Sequence, residues 1–216
     1  MNKMNVQVLG DNTLATVTRD YCRRHFGAVP PYDIIWVCDE VPFPEEATSI
    51  ILISYPVPPG TIRFMQRKHP NILFAYSPEN IRLNHADIDF NTQNRIVCGV
   101  EKPDRRLDEL FKPLTPNLYY TSIETAEMVK HALNGFLAVS VAYANEIGDL
   151  CKKTGADMNH VTHCLRMDKR IGMSAYLDAG RPFGTHLERE VKYLLSIKET
   201  PLVAAAKRSN DEHKGN

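Results

Sequence analysis

Lys130 and Asn134 stand four residues apart in the stretch SIETAEMVKHALNGFLAVSVAYANEIGDLCKKT, residues 122–154. On a helix that spacing puts both side chains on one face. A lysine or asparagine withdrawn from water needs a partner, so this face meets a ligand, a polar network or solvent. A second chemistry-bearing stretch is AGRPFGTHLERE, residues 179–190. Thr185 and Glu188 have the spacing of a capping box, with Thr185 as the N-cap and His186 in the first turn. A helix amino terminus disfavours imidazolium, which keeps His186 neutral and suits it to act as a base or hydrogen-bond partner. Lys169 and Arg170 in DKRIG, 168–172, form either a phosphate contact or a solvated charged turn. No metal site is expected: His160 and His163 share a helix face but lack an acidic or cysteine completion nearby. There is no G-x-S-x-G, P-loop or H-E-x-x-H motif.

These residues need elements to position them. Residues 122–154 contain no proline, and Gly135 and Gly148 are single interruptions costing roughly 1 kcal/mol each, so one long helix is expected. At about 1.5 Å per residue it runs about 50 Å, more than a small domain covers alone. A homodimer paired through this helix supplies the missing cover. Upstream, Val6–Leu9, Ile34–Cys38, Ser49–Ser54, Ile72–Tyr76 and Asn117–Tyr120 read as strands. They are apolar on both sides and separated by helices (12–25, 62–69, 107–114) or long connections such as the acidic, proline-rich 39–47, which argues for a small, mostly parallel sheet. Gly10, Pro56–Thr61 and Ser77–Glu79 then gather at the carboxyl edge, where such sheets bind ligands. The first loop, GDNTLA, keeps only Gly10 of a dinucleotide fingerprint, and Asp39 or Glu40 reads as a solvated turn rather than a ribose-binding acid. After the long helix, Asp157 caps a helix to about Met167; helices 185–197 and 202–207, broken at Pro201, finish the bundle. The polar tail from Ser209 is expected to fray.

Whole-chain properties bound the function. The chain has 216 residues, with 26 basic and 26 acidic side chains and no long basic tract. That disfavours nucleic acid as a partner. No apolar run approaches 18 residues and no signal-peptide pattern opens the chain, so a soluble cytoplasmic protein, away from membranes, is expected. Five scattered cysteines fit reduced, mostly buried thiols.

The order of these motifs resembles the UDP-glucose/GDP-mannose dehydrogenase family, NAD-dependent enzymes that oxidise a sugar CH₂OH twice to a uronic acid. PVPPGT (56–61), SPE (77–79), DF (89–90), NRIV (94–97), ETAEMVKHALNGFLAVSVAYANEI (124–147), GAD (155–157) and DKRIG (168–172) carry the resemblance. It implies a reduced Rossmann-like α/β domain over 1–121, with NAD near Gly10, Pro56 and Gly60. An all-helical dimerisation domain built on the long central helix follows over 122–210, with a frayed tail at 211–216. By the same resemblance Lys130 and Asn134 stabilise an oxyanion and position water, Glu79 is the first glutamate of the Pro-Glu loop, and Arg170 reaches the partner subunit's sugar site.

GRPFGTHLERE is similar to the family's nucleophile loop, with one residue deleted, His186 in place of the cysteine and Glu190 in place of the final aspartate. Leu83 replaces the second loop glutamate. Aldehyde oxidation through a thiohemiacetal requires a nucleophile that becomes a thioester, and histidine is no direct substitute. Alcohol oxidation needs only a base and a placed nicotinamide. The chain also passes from its first helix to what resembles the family's fourth strand, and it ends where a separate nucleotide-binding domain would begin. Two readings follow: an NAD-dependent oxidation of the C6 hydroxyl of a UDP- or GDP-sugar using Lys130, Asn134, Glu79, His186 and Glu190, or a nucleotide-sugar-binding or dimeric assembly protein without oxidoreductase activity.

Overall fold

The computed structural model describes residues 3–42, 49–79 and 81–215, with Leu83 described in its backbone alone. Most of the acidic, proline-rich connection falls on 43–48, outside the described residues. The chain forms two compact units, Met1–Lys130 and His131–Asn216.

The first unit is built on a six-stranded sheet: β1 (Val6–Leu9), β2 (Ile34–Val37), β3 (Ile50–Ile53), β4 (Phe74–Tyr76), β5 (Ile96–Val100) and β6 (Leu118–Thr121), in that spatial order. β1 to β4 are parallel, β5 runs antiparallel to β4, and β6 is parallel to β5. All four residues of β2 and of β3 are buried, which a strand covered on both faces requires. Between the strands come α1 (Thr13–His25), α2 (Thr61–Lys68), α3 (Ala86–Asn91) and α4 (Arg105–Phe111), and α5 (Ile123–Thr154) follows β6.

Alternation along the strands sorts the core into two layers. Ile34, Trp36, Ile50 and Leu52 face α1, α3 and α4, where Trp36 meets Tyr21 and Phe111 edge to face. Ile35, Val37, Ile51 and Ile53 face α2 and the start of α5. The crossovers β1–α1–β2 and β3–α2–β4 step the same way along the sheet yet lie on opposite faces. They therefore have opposite hands, and one is left-handed, the rare kind for parallel strands.

α5 reaches the sheet through Gly99. A Cβ there would lie 2.7 Å from Ala126 Cβ and 2.9 Å from Ile123 Cα. Only a bare Cα on β5 lets the helix settle this close, and that contact sets the height of the next turn, which carries Glu127 and Lys130.

The second unit continues α5 and adds α6 (Met158–Met167), α7 (Thr185–Ile197) and α8 (Pro201–Lys214). Asp157 caps α6, accepting from the Asn159 N–H at 2.8 Å. Two expectations are corrected. Thr185 is not the N-cap of α7; Gly184 holds that position without a side-chain cap, and Glu188 instead pairs with Lys214. Residues 211–214 do not fray: α8 runs on to Lys214, because Ala206, Ser209 and Asn210 are buried and anchor its second half. Among the described residues no helix is long and apolar enough to cross a membrane.

Candidate functional site

In the first unit the structure brings Lys130 and Glu79 together. β4 delivers Ser77–Glu79 to the carboxyl edge of the sheet, and α5 lays Lys130 beside it. The Lys130 ammonium, only 8% exposed, donates to the Glu79 carbonyl at 2.6 Å. The Glu79 side chain is itself buried, and neither carboxyl oxygen has a hydrogen-bond partner among the described residues. Burial pushes its pKa up to about 7; the Lys130 charge and the nearby Gln93, whose amide donates to the Phe90 carbonyl, hold it from rising further. A carboxyl that changes charge near neutrality can take up or release a proton under ordinary conditions.

One turn before Lys130, Glu127 accepts from the Gly60 N–H at 2.7 Å and the Ile62 N–H at 3.1 Å. Its carboxylate thus takes the place of an anion at the amino terminus of α2. The sequence signal for this role is an acid one turn before Lys130 on a buried helix face. Pro56 is half-buried in the loop leading to α2, while Gly60, with φ 85°, spends its N–H on Glu127.

In the second unit Asn134 is half-buried on α5 and His186 is exposed in the first turn of α7. Glu190, expected beside the reacting groups, is fully buried and lies 2.8 Å from His131 Nδ1, also fully buried. The carboxylate accepts from Nδ1–H, and the Tyr193 ring meets the imidazole edge to face. The His131 partnership went unread because adjacent positions in sequence gave no hint that α7 covers it. Arg170 is exposed on its turn and held by Asp168 at 2.6 Å, which lowers the Asp168 pKa.

The fingerprint loop does not fit a dinucleotide. Asn12 occupies the second-glycine position of GDNTLA, where backbone must approach a pyrophosphate. Its Oδ1 accepts from the Ala15 N–H at 2.8 Å, and its Nδ2 donates to the Cys38 carbonyl at 2.8 Å. The amide therefore caps α1 and ties together the two loops that would flank the phosphates. Gly10, at φ 116°, is packed by protein: a Cβ there would meet Asp39 Cβ at 2.8 Å. No group of three or more metal-ligating side chains occurs among the described residues.

Comparison with known proteins places these observations. Residues 124–212 match the UDP-glucose/GDP-mannose dehydrogenase family, central domain. The chain is 35% identical over 178 residues to a UDP-glucose 6-dehydrogenase of Rickettsia bellii (strain RML369-C), covering 76% of this chain and 41% of that protein. With a UDP-glucose 6-dehydrogenase of Bacillus subtilis (strain 168) it shares 38% over 145 residues, 63% of this chain and 33% of the other. A solved UDP-glucose dehydrogenase from the hyperthermophilic archaeon Pyrobaculum islandicum has the same fold, with a TM-score of 0.80 at 20% identity, covering 98% of this chain and 68% of that one. The chain spans between a third and two fifths of these curated relatives' lengths.

Proposed function

We propose, from the chain's membership in the UDP-glucose/GDP-mannose dehydrogenase family, that it binds a nucleotide sugar and does not itself carry NAD. The observation that carries the reading is the contrast between the two ends of the sheet edge. Lys130 and Glu79 remain as a buried, charge-coupled pair, whereas the fingerprint loop is closed on itself by Asn12. In this reading residues 1–121 are a reduced Rossmann-like domain and 122–210 a helical dimerisation domain. Lys130 holds negative charge on a sugar oxygen, Glu79 exchanges a proton near neutrality, and Asn134 and His186 bind the sugar or its water. Arg170 reaches a partner subunit's sugar, and Glu190 positions α7 through His131.

The dimer rests on an apolar stripe. Phe136, Tyr143 and Leu150 recur every seven residues on α5 and are 69%, 49% and 54% exposed in the single chain. With Ala132 one turn before Phe136 and Val139 between Phe136 and Tyr143, they have the spacing of a coiled-coil seam. A second copy presenting the same stripe buries it.

Calorimetric titration with UDP-glucose and GDP-mannose tests the proposal: one of them binds, and Lys130→Ala weakens it by about tenfold or more, the loss of one charge-assisted hydrogen bond. No binding of either by the intact protein overturns it. The relatives' activity, written in their names, supports a second reading in which the chain oxidises the C6 hydroxyl with NAD at Pro56 and Gly60. Sugar-dependent NADH formation would establish that one.

A further inference from the structure

Two asparagines from different helices grip the same short loop. Asn145 on α5, 2% exposed, accepts from the Gly180 N–H at 2.8 Å and donates to the Arg181 carbonyl at 3.0 Å. Asn210 on α8, fully buried, accepts from the Phe183 N–H at 2.6 Å and donates to the Phe183 carbonyl at 3.2 Å. Each side-chain amide has one acceptor and one donor group, and each spends both on loop backbone. Between them they fix residues 180–183 from beneath at four points, and Phe183 is the buried peg that joins the loop to Ala138 and Val191. The opposite side of the loop is solvent-facing: Arg181, Pro182, Gly184, Thr185 and His186 are all exposed.

A surface connection needs no such anchoring to stay folded, since water satisfies its backbone. Four bonds from buried side chains, two of them supplied by a residue near the end of the last helix, hold the loop in one shape before any ligand arrives. We propose that Asn145 and Asn210 are positioning residues, which keep loop 180–184 and the first turn of α7 preorganised so that His186 meets the nucleotide sugar without an ordering cost. This rests on the nucleotide-sugar reading above. The neighbouring Ser209 supplies a control, because it is buried on the same helix but its hydroxyl has no hydrogen-bond partner among the described residues.

The test compares the full chain with Asn145→Ala, Asn210→Ala and Ser209→Ala by titration with UDP-glucose and GDP-mannose, by amide hydrogen exchange, and by the His186 imidazole NMR signal. The expected result is that both asparagine variants stay folded and exchange the Gly180 and Phe183 amides at least tenfold faster. Their affinity falls at least tenfold, and the His186 signal no longer moves to a single bound position. Ser209→Ala behaves as the parent does. Should Asn210→Ala not fold, Asn145→Ser, which retains a hydroxyl to accept from the Gly180 N–H, is read against Asn145→Ala and restores part of the affinity. Asparagine variants that bind within twofold of the parent, with an unchanged His186 response, overturn the positioning role while leaving the nucleotide-sugar reading intact. A parent chain that binds neither nucleotide sugar overturns both, and that failure is visible without any variant.

Discussion

The Lys130 ammonium and the Glu79 carboxyl are joined through main chain rather than as an ion pair: Nζ donates to the Glu79 carbonyl at 2.6 Å, and the carboxyl is left to titrate at about 7. That arrangement keeps the lysine satisfied whichever charge Glu79 carries. It is the feature that most sets this sheet edge apart from ordinary packing.

Glu79 makes stability depend on pH in a stated direction. Its pKa is raised on folding from 4.5 to about 7, so the folded chain holds the proton more tightly than the unfolded one. The contribution is fully present below about pH 4.5 and is lost as pH rises through about 7, a change of about 3 kcal/mol. Urea denaturation of Glu79→Gln at pH 5 and pH 8 should lack most of this loss, leaving the variant the more stable protein at pH 8. Equal pH slopes in parent and variant would contradict the burial of a titrating carboxyl.

Glu190 and His131 are expected to behave as a structural pair. Glu190→Leu or His131→Leu alone strands a buried polar partner and costs about 1–3 kcal/mol. Replacing both by leucine removes the polar partners together and brings stability back to within about 1 kcal/mol of the parent. A double-mutant cycle measures this directly. If the two single losses simply add, the pair is not coupled and Glu190 is released for a catalytic role.

The exposed stripe on α5 makes the dimer testable. Phe136→Glu places a charge on the seam without touching a buried residue of the single chain, so it should convert a dimer to a folded monomer in analytical ultracentrifugation. A parent chain that sediments as a monomer at micromolar concentration would refute the pairing.

Much of this architecture was legible in the residues. The doubly apolar strands announced a sheet covered on both faces, and a proline-free 122–154 announced the long helix, because burial on two sides and helix length leave direct marks on composition. Asp157 was readable as a cap for the same local reason. What escaped were relationships between distant segments. β5 showed only through the resemblance at NRIV, since its five residues include Gly99, and that glycine is explained by helix packing rather than by strand propensity. Asn210 looked like part of a polar tail because its value lies in reaching Phe183, 27 residues away. Thr185 had the right spacing for a capping box, but the N-cap falls one residue earlier, at Gly184, and Glu188 pairs with Lys214. Asn12 could be seen to break the glycine fingerprint; that its amide would replace the ligand at the helix terminus could not.

The proposed function requires that the Lys130–Glu79 edge take a nucleotide sugar and that the loop closed by Asn12 take no NAD. Paired calorimetric titrations of the purified chain, one with UDP-glucose or GDP-mannose and one with NAD, test it most directly. The expected result is saturable binding of a nucleotide sugar and no heat from NAD at millimolar concentration. Saturable NAD binding, above all with NADH appearing when the sugar is added, would contradict it.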